Sequence, residues 1–162
     1  MGSGGKALGF MALTIYTDGG CSGNPGPGGW AFVILQDTFQ GINVLAERSG
    51  AEKSTTNNRM ELMAAIASLE TLKTLTDAPR KLTLCTDSQY LQKGMTEWLK
   101  GWKAKGWRTS DKQPVRNQDL WQRLDSISGE FSIAWVWVKG HAGNTYNERC
   151  DAMTQEAIAS IG

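Results

Sequence analysis

The order in which strand-like and helix-like runs follow one another constrains this chain most. Residues 13–18, Leu-Thr-Ile-Tyr-Thr-Asp, alternate apolar and polar side chains as a half-buried strand does. Residues 30–35 read as a second strand, and residues 40–50 as a third with Ile42 and Val44 on one face. Their short connections favour antiparallel hairpins. Residues 19–29 hold CSGNPGPGG and read as a turn too rich in Gly and Pro for a regular element. From residue 57 the pattern changes to alternating helices and strands. Residues 57–75 are built of strong helix formers, with Leu62, Ile66 and Leu69 at helical spacing, and Pro79 closes that region. A short strand is expected over 81–86, a short helix over 88–94 and another over 96–105, with Trp98 and Trp102 at i, i+4. Residues 106–115 read as a loop, 117–127 as a helix and 144–160 as the closing helix. Residues 133–138 are apolar on both faces, which predicts a buried central strand. Three strands and then alternation imply an α/β fold, a mixed sheet with helices on its faces.

On this frame four acids stand out: Asp18 in TDGG, Glu61 in NNRMEL, Asp87 in TDSQY and Asp151 in ERCDAM. Asp18 and Asp87 each end a predicted strand, and ligands of open α/β sheets lie beyond the carboxyl ends of strands. If those strands are neighbours, both aspartates face one cleft. Gathered acids raise one another's pKa, and hard divalent cations such as Mg²⁺ relieve that cost through oxygen ligands. Each acid also has an ordinary role open to it: Asp18 as a turn residue, Asp87 as a helix cap, Glu61 as a boundary residue with a solvated tip, Asp151 as a structural acid. His141, the one histidine, sits in KGHAGN between glycines, a setting that suits a mobile proton carrier.

The gross numbers bound the rest. A chain of 162 residues fits one domain, taken as residues 11–162, with the Gly- and Ser-rich residues 1–10 read as a flexible or expression-derived lead. A net charge of +1 says nothing about partners. Cys21, Cys85 and Cys150 are odd in number and lack metal-site spacing, so reduced thiols in a cytoplasmic protein are expected. No apolar run reaches the ~20 residues of a membrane helix. Nothing demands more than a monomer.

The local words carry the functional reading. YTDGGCSGNPGPGG, TTNNRMELMAA, TDSQY and WVKGHAGN followed by NERCDA occur in this order, and together they closely resemble type 1 ribonuclease H of the bacterial kind. The resemblance runs from about residue 13 to about residue 157. It implies a mixed five-stranded sheet flanked by helices. It also implies hydrolysis of the RNA strand of RNA–DNA hybrids by two Mg²⁺ ions, with Mn²⁺ as a substitute, leaving 5′-phosphate and 3′-hydroxyl ends. Asp18, Glu61, Asp87 and Asp151 match the metal-binding carboxylates, and His141 the loop histidine of proton transfer or product release. Cys21, Asn24, Asn57, Asn58 and Gln89 match the residues that read the RNA strand, where only RNA offers a 2′-hydroxyl. Thr56 matches a DNA-phosphate pocket. Gly20 stands where many relatives have Ser, and Asn144-Thr145 where His-Pro is more usual.

Residues 93–116 hold seven bases (Lys93, Lys100, Lys103, Lys105, Arg108, Lys112 and Arg116) against Glu97 and Asp111. Trp98, Trp102 and Trp107 interleave with them. Basic charge tracks a phosphate backbone and aromatics contact bases or sugars. The segment matches the basic protrusion of bacterial members, with Trp98, Lys100, Trp102, Lys103 and Lys105 toward DNA. The tryptophans also suit packing within the protrusion. The alternative of another class is a catalytically silent hybrid-binding module of the same fold; the loss of any of the four acids would favour it, and all four are present.

Overall fold

The computed structural model describes residues 12–75, 81–140 and 143–161. The lead over residues 1–10, Pro79 and His141 lie outside these. Strands β1 (Ala12–Cys21), β2 (Gly26–Thr38) and β3 (Gly41–Thr55) form an antiparallel meander. Helix α1 (Asn57–Leu75) then leads toward β4 (Lys81–Thr86), which pairs parallel with β1. Helix α2 (Gln89–Lys93), a π-helical turn (Gly94–Trp98), α3 (Leu99–Ala104) and α4 (Gln118–Ser128) follow. Strand β5 (Ser132–Trp137) pairs parallel with β4, and α5 (Thr145–Ile161) closes the described chain. The sheet order is β3-β2-β1-β4-β5, a mixed five-stranded sheet with helices on both faces.

Strand alternation divides the core in two. Phe32 and Ile34 of β2 and Leu13 and Ile15 of β1 face the larger cluster with Leu62, Ile66 and Leu69 of α1 and Trp121 and Leu124 of α4. Ala31, Val33 and Leu35 face the other way, onto Cys150 and Met153 of α5. α1 starts where Thr56 caps it: the Thr56 hydroxyl accepts from the Arg59 N–H at 3.3 Å. α2 starts on Ser88, whose Oγ accepts from the Leu91 N–H at 3.1 Å.

Three expectations need correction. The Gly/Pro-rich run is not all turn: β1 continues through Gly19, Gly20 and Cys21, and β2 already begins at Gly26. Gly19 is in a strand because α1 passes directly over it; a Cβ there would lie 2.4 Å from the backbone of Met60 and Glu61. Asp18 therefore sits inside β1 rather than at its end. Second, β5 is an edge strand, not a central one. Ile133 and Trp135 pack on the core, while Val136 and Trp137 are exposed. Third, residues 96–105 are not one helix. The Leu99 N–H donates to the Gly94 carbonyl, a wide turn of five residues, before α3 begins.

Candidate active site

The parallel register ends with Thr17 against Thr86, so Asp18, inside β1, and Asp87, just past β4, emerge side by side where the pairing of the two strands ends. The bare backbone of Gly19 lets α1 come down beside them and deliver Glu61. One oxygen from each of Asp18, Glu61 and Asp87 lies within 4.8 Å of the others. Asp18 and Glu61 are both about 95% buried, at 5% and 4% exposure. That overturns the solvated-tip reading of Glu61.

Such crowding is electrostatically expensive. Burial first, then the neighbouring Asp87, push the Asp18 carboxyl up to about 7; Asp151 adds to the rise and the Thr154 hydroxyl opposes it. Burial, reinforced by Asp18 and Asp87, holds Glu61 well above the usual carboxylate range, against a lowering contribution from the Gly19 N–H. Glu61 Oε1 has no hydrogen-bond partner. Asp151, half-buried on α5, joins the trio through its charge on Asp18 rather than as a member of the 4.8 Å group.

Around the acids the other expected residues take their places. The Gly140 backbone passes close to Asp87, so that a Cβ on Gly140 would lie 2.9 Å from Asp87 Oδ2. The loop that leads into His141 thus starts at the acids, although His141 itself is outside the described residues. Asn24 is exposed on the tight turn between β1 and β2, and its Oδ1 accepts from the Asn57 N–H at 3.1 Å. Cys21 is tied inward: its thiol donates to the carbonyls of Gly26 and Thr55, both at 3.3 Å. These contacts hold the turn to the entry of α1, with Asn57 exposed and Asn58 half-buried beside it. Gln89 is exposed at the first position of α2, two residues after Asp87.

In the protrusion the tryptophans pack chiefly on one another. Trp102 lies 5.9 Å from Trp98, 6.2 Å from Trp107 and 5.2 Å from Trp121, ring centre to ring centre. Trp98 keeps an exposed edge. Lys100 and Lys105 are exposed, whereas Lys103 is drawn to Asp125 at 3.2 Å.

Several contributors were missed by sequence reasoning. The Trp137 indole N–H donates to the Asp87 carbonyl at 3.0 Å, fixing the backbone that carries this acid. Arg59 donates to Asn117 and to both oxygens of Asp119, while Asn117 and Trp121 both donate to the Tyr90 hydroxyl. This network ties α1, α2 and α4 together beneath the cleft. Arg59 lies within NNRMEL, so its motif was the available pointer; Tyr90 and Asn117 were hidden because only the fold brings them together.

Among the described residues no helix is long and apolar enough to cross a membrane. The family model "RNase H" matches residues 11–159. The chain is 54% identical to a ribonuclease H of Paramagnetospirillum magneticum over 149 residues, 92% of this chain and 91% of that protein. It is 53% identical to ribonuclease HI of Caulobacter vibrioides over 146 residues, 90% of this chain and 92% of that one. Among solved structures it is similar to LC9-RNase H1, a type 1 RNase H with the type 2 active-site motif, at a TM-score of 0.81 and 29% identity over 93% of this chain and 74% of the other. LC11-RNase H1, solved in complex with RNA/DNA hybrid, superposes with a TM-score of 0.69 at 29% identity over 91% of this chain and 97% of that chain. With acids gathered where the parallel pairing of β1 and β4 ends, and with a match that runs almost from end to end, the chain belongs to the RNase H family.

Proposed function

We propose that this chain is an endonuclease that hydrolyses the RNA strand of RNA–DNA hybrids with divalent metal, Mg²⁺ in the first instance, leaving 5′-phosphate and 3′-hydroxyl ends. The observation that carries the reading is the carboxylate trio, in which Asp18 and Glu61 are buried and Asp87 partly so. Three acids converge within 4.8 Å, one oxygen of Glu61 has no partner, and Asp18 is pushed up to about 7. An all-oxygen donor set of this kind fits a hard cation. Asp18, Glu61 and Asp87 would hold the metal, with Asp151 completing the set from α5. Two ions bound there supply activation of the attacking water and stabilisation of the leaving 3′ oxygen.

The remaining roles belong to the chain's own groups. Asn24 spends its Oδ1 on the Asn57 N–H, which leaves its amide N–H groups to donate to the 2′-oxygen of RNA. Asn57, Asn58 and Gln89 extend that reading along the RNA strand, and Cys21 holds the turn that presents Asn24. Thr56 accepts from Arg59, so its O–H remains to donate to a DNA phosphate. Lys100 and Lys105 contact the DNA backbone, and Trp98 offers its exposed edge. Trp102 supports that surface from within, and Lys103 acts there only to the extent that it leaves Asp125. His141 moves a proton or speeds product release. One chain contributes every acid, so a monomer suffices.

The test is cleavage of a labelled RNA–DNA hybrid beside single-stranded RNA, duplex RNA and duplex DNA, with Mg²⁺ and with EDTA. Cleavage confined to the RNA of the hybrid and abolished by EDTA is expected. Equal cleavage of duplex DNA, or activity that survives EDTA, overturns the assignment.

A further inference from the structure

Thr154 lies on α5, three residues beyond Asp151, and is fully buried at 0% exposure. Its hydroxyl has no hydrogen-bond partner. Five other helix hydroxyls settle theirs locally. Ser68, Thr74, Ser128 and Ser160 donate to the carbonyl three residues back, and Thr96 to the one four residues back, all between 2.7 and 3.0 Å. Thr154 forgoes that bond and accepts the cost of a buried, unpaired hydroxyl.

Its position gives the cost a purpose. The Thr154 methyl lies 3.5 Å from where a Cβ on Gly20 would sit, and its carbonyl 3.0 Å from one on Gly29. Gly20 and Gly29 are cross-strand partners, two steps along from the Asp18–Ala31 pair. Asp18 and Gly20 share a sheet face, the one α5 covers. The hydroxyl lies close enough to Asp18 to favour its ionised form, opposing Asp87 and Asp151, yet closes no hydrogen bond in this arrangement.

We propose that Thr154 is a positioning residue of the metal site: its hydroxyl donates to the Asp18 oxygen turned away from the cation and fixes which oxygen faces the cleft. A ligating carboxylate uses one oxygen on the metal and, when buried, needs a donor for the other. The inference rests on the metal-dependent reading above and deepens it.

The experiment compares Thr154→Val, which keeps the shape and removes the hydroxyl, with Thr154→Ser, which keeps the hydroxyl. Mg²⁺ is titrated calorimetrically into each free protein, thermal melts are run in EDTA, and hybrid cleavage is followed against Mg²⁺ concentration. Thr154→Val is expected to bind Mg²⁺ about 10-fold more weakly while melting in EDTA at or above the wild-type temperature. Thr154→Ser is expected to bind as the wild type does. Wild-type Mg²⁺ affinity in Thr154→Val overturns the proposal, as does a serine variant as weak as the valine one. A valine variant that melts lower in EDTA places the hydroxyl's role in the fold and also overturns it. If the wild type binds Mg²⁺ but cleaves no hybrid, the nuclease reading fails alone, and the calorimetric comparison still decides the role of Thr154.

Discussion

Replacing Asp18 by Asn should make the protein more stable and catalytically dead, and the stability gain should depend on pH in a defined way. The carboxyl of Asp18 ionises near 3.8 in an unfolded chain and at about 7 in the folded one, because burial and the adjacent Asp87 disfavour its charge. Between those values the folded chain holds a proton that the unfolded chain has released, so stability falls as pH rises. Above about pH 7 the loss levels off at about 4 kcal/mol, at about 1.4 kcal/mol for each tenfold change in proton affinity. At pH 5 only about 1.6 kcal/mol of it has accrued. Asp18→Asn removes this penalty. Glu61, also raised and pressed by Asp18, relaxes in the same direction when its neighbour is neutral. The assay is urea unfolding of both proteins in EDTA at pH 5 and pH 8, repeated with Mg²⁺. Asp18→Asn should exceed the wild type by up to about 4 kcal/mol at pH 8 and by less than half of that at pH 5. Mg²⁺ should stabilise the wild type and narrow the gap. Equal stabilities at pH 8 in EDTA, or a gap that widens toward pH 5, would refute the reasoning.

Asp87→Asn should reduce hybrid cleavage to background, while a gel-shift in Ca²⁺ still shows hybrid binding; retained cleavage removes Asp87 from the metal set. Gly19→Ala forces a Cβ to within 2.4 Å of the α1 backbone, at a cost of about 1–3 kcal/mol; differential scanning calorimetry should show a lower Tm, and cleavage should drop because Glu61 moves with α1. Lys100→Ala and Lys105→Ala should each lower the salt dependence of hybrid binding by about one ion equivalent. Lys103→Ala should change it less, because Asp125 already engages that ammonium at 3.2 Å.

What could be read from the chain follows from how local its causes are. Residues 57–75 and 81–86 are helix and strand as their composition and alternation predict. There local preference and tertiary packing agree. The strand through Gly19 and Gly20 was hidden because glycine there answers to a helix backbone more than forty residues away, not to its neighbours in sequence. β5 looked central because both its faces are apolar; Trp137 instead lies at the exposed edge and spends its indole N–H on the Asp87 carbonyl. The acids were legible as a set through their surrounding motifs. The depth of Glu61's burial was not, since one helical position cannot say how closely its helix approaches the sheet. Thr154 carried no motif at all, and only its unpaired hydroxyl beside Asp18 distinguishes it.

The wide turn at Gly94–Trp98 bears on how the protrusion tolerates insertions and deletions. A regular helix advances about 100° per residue, and by bonding Leu99 back to Gly94 the wide turn takes in one extra residue without passing that rotation on to α3. The start of the turn is also locked, because any side chain at Gly94 would collide with the Trp121 ring, 1.9 Å from where its Cβ would lie. Deleting one residue between 95 and 98 would let Leu99 bond to Gly94 as in a regular helix and leave α3 in its present phase, whereas inserting one would turn α3 by about 100° about its axis. After an insertion Trp102 would leave its stack and Lys100 would turn off its present face. Substitutions in this segment therefore change how strongly it grips, whereas an added residue changes the direction in which it grips.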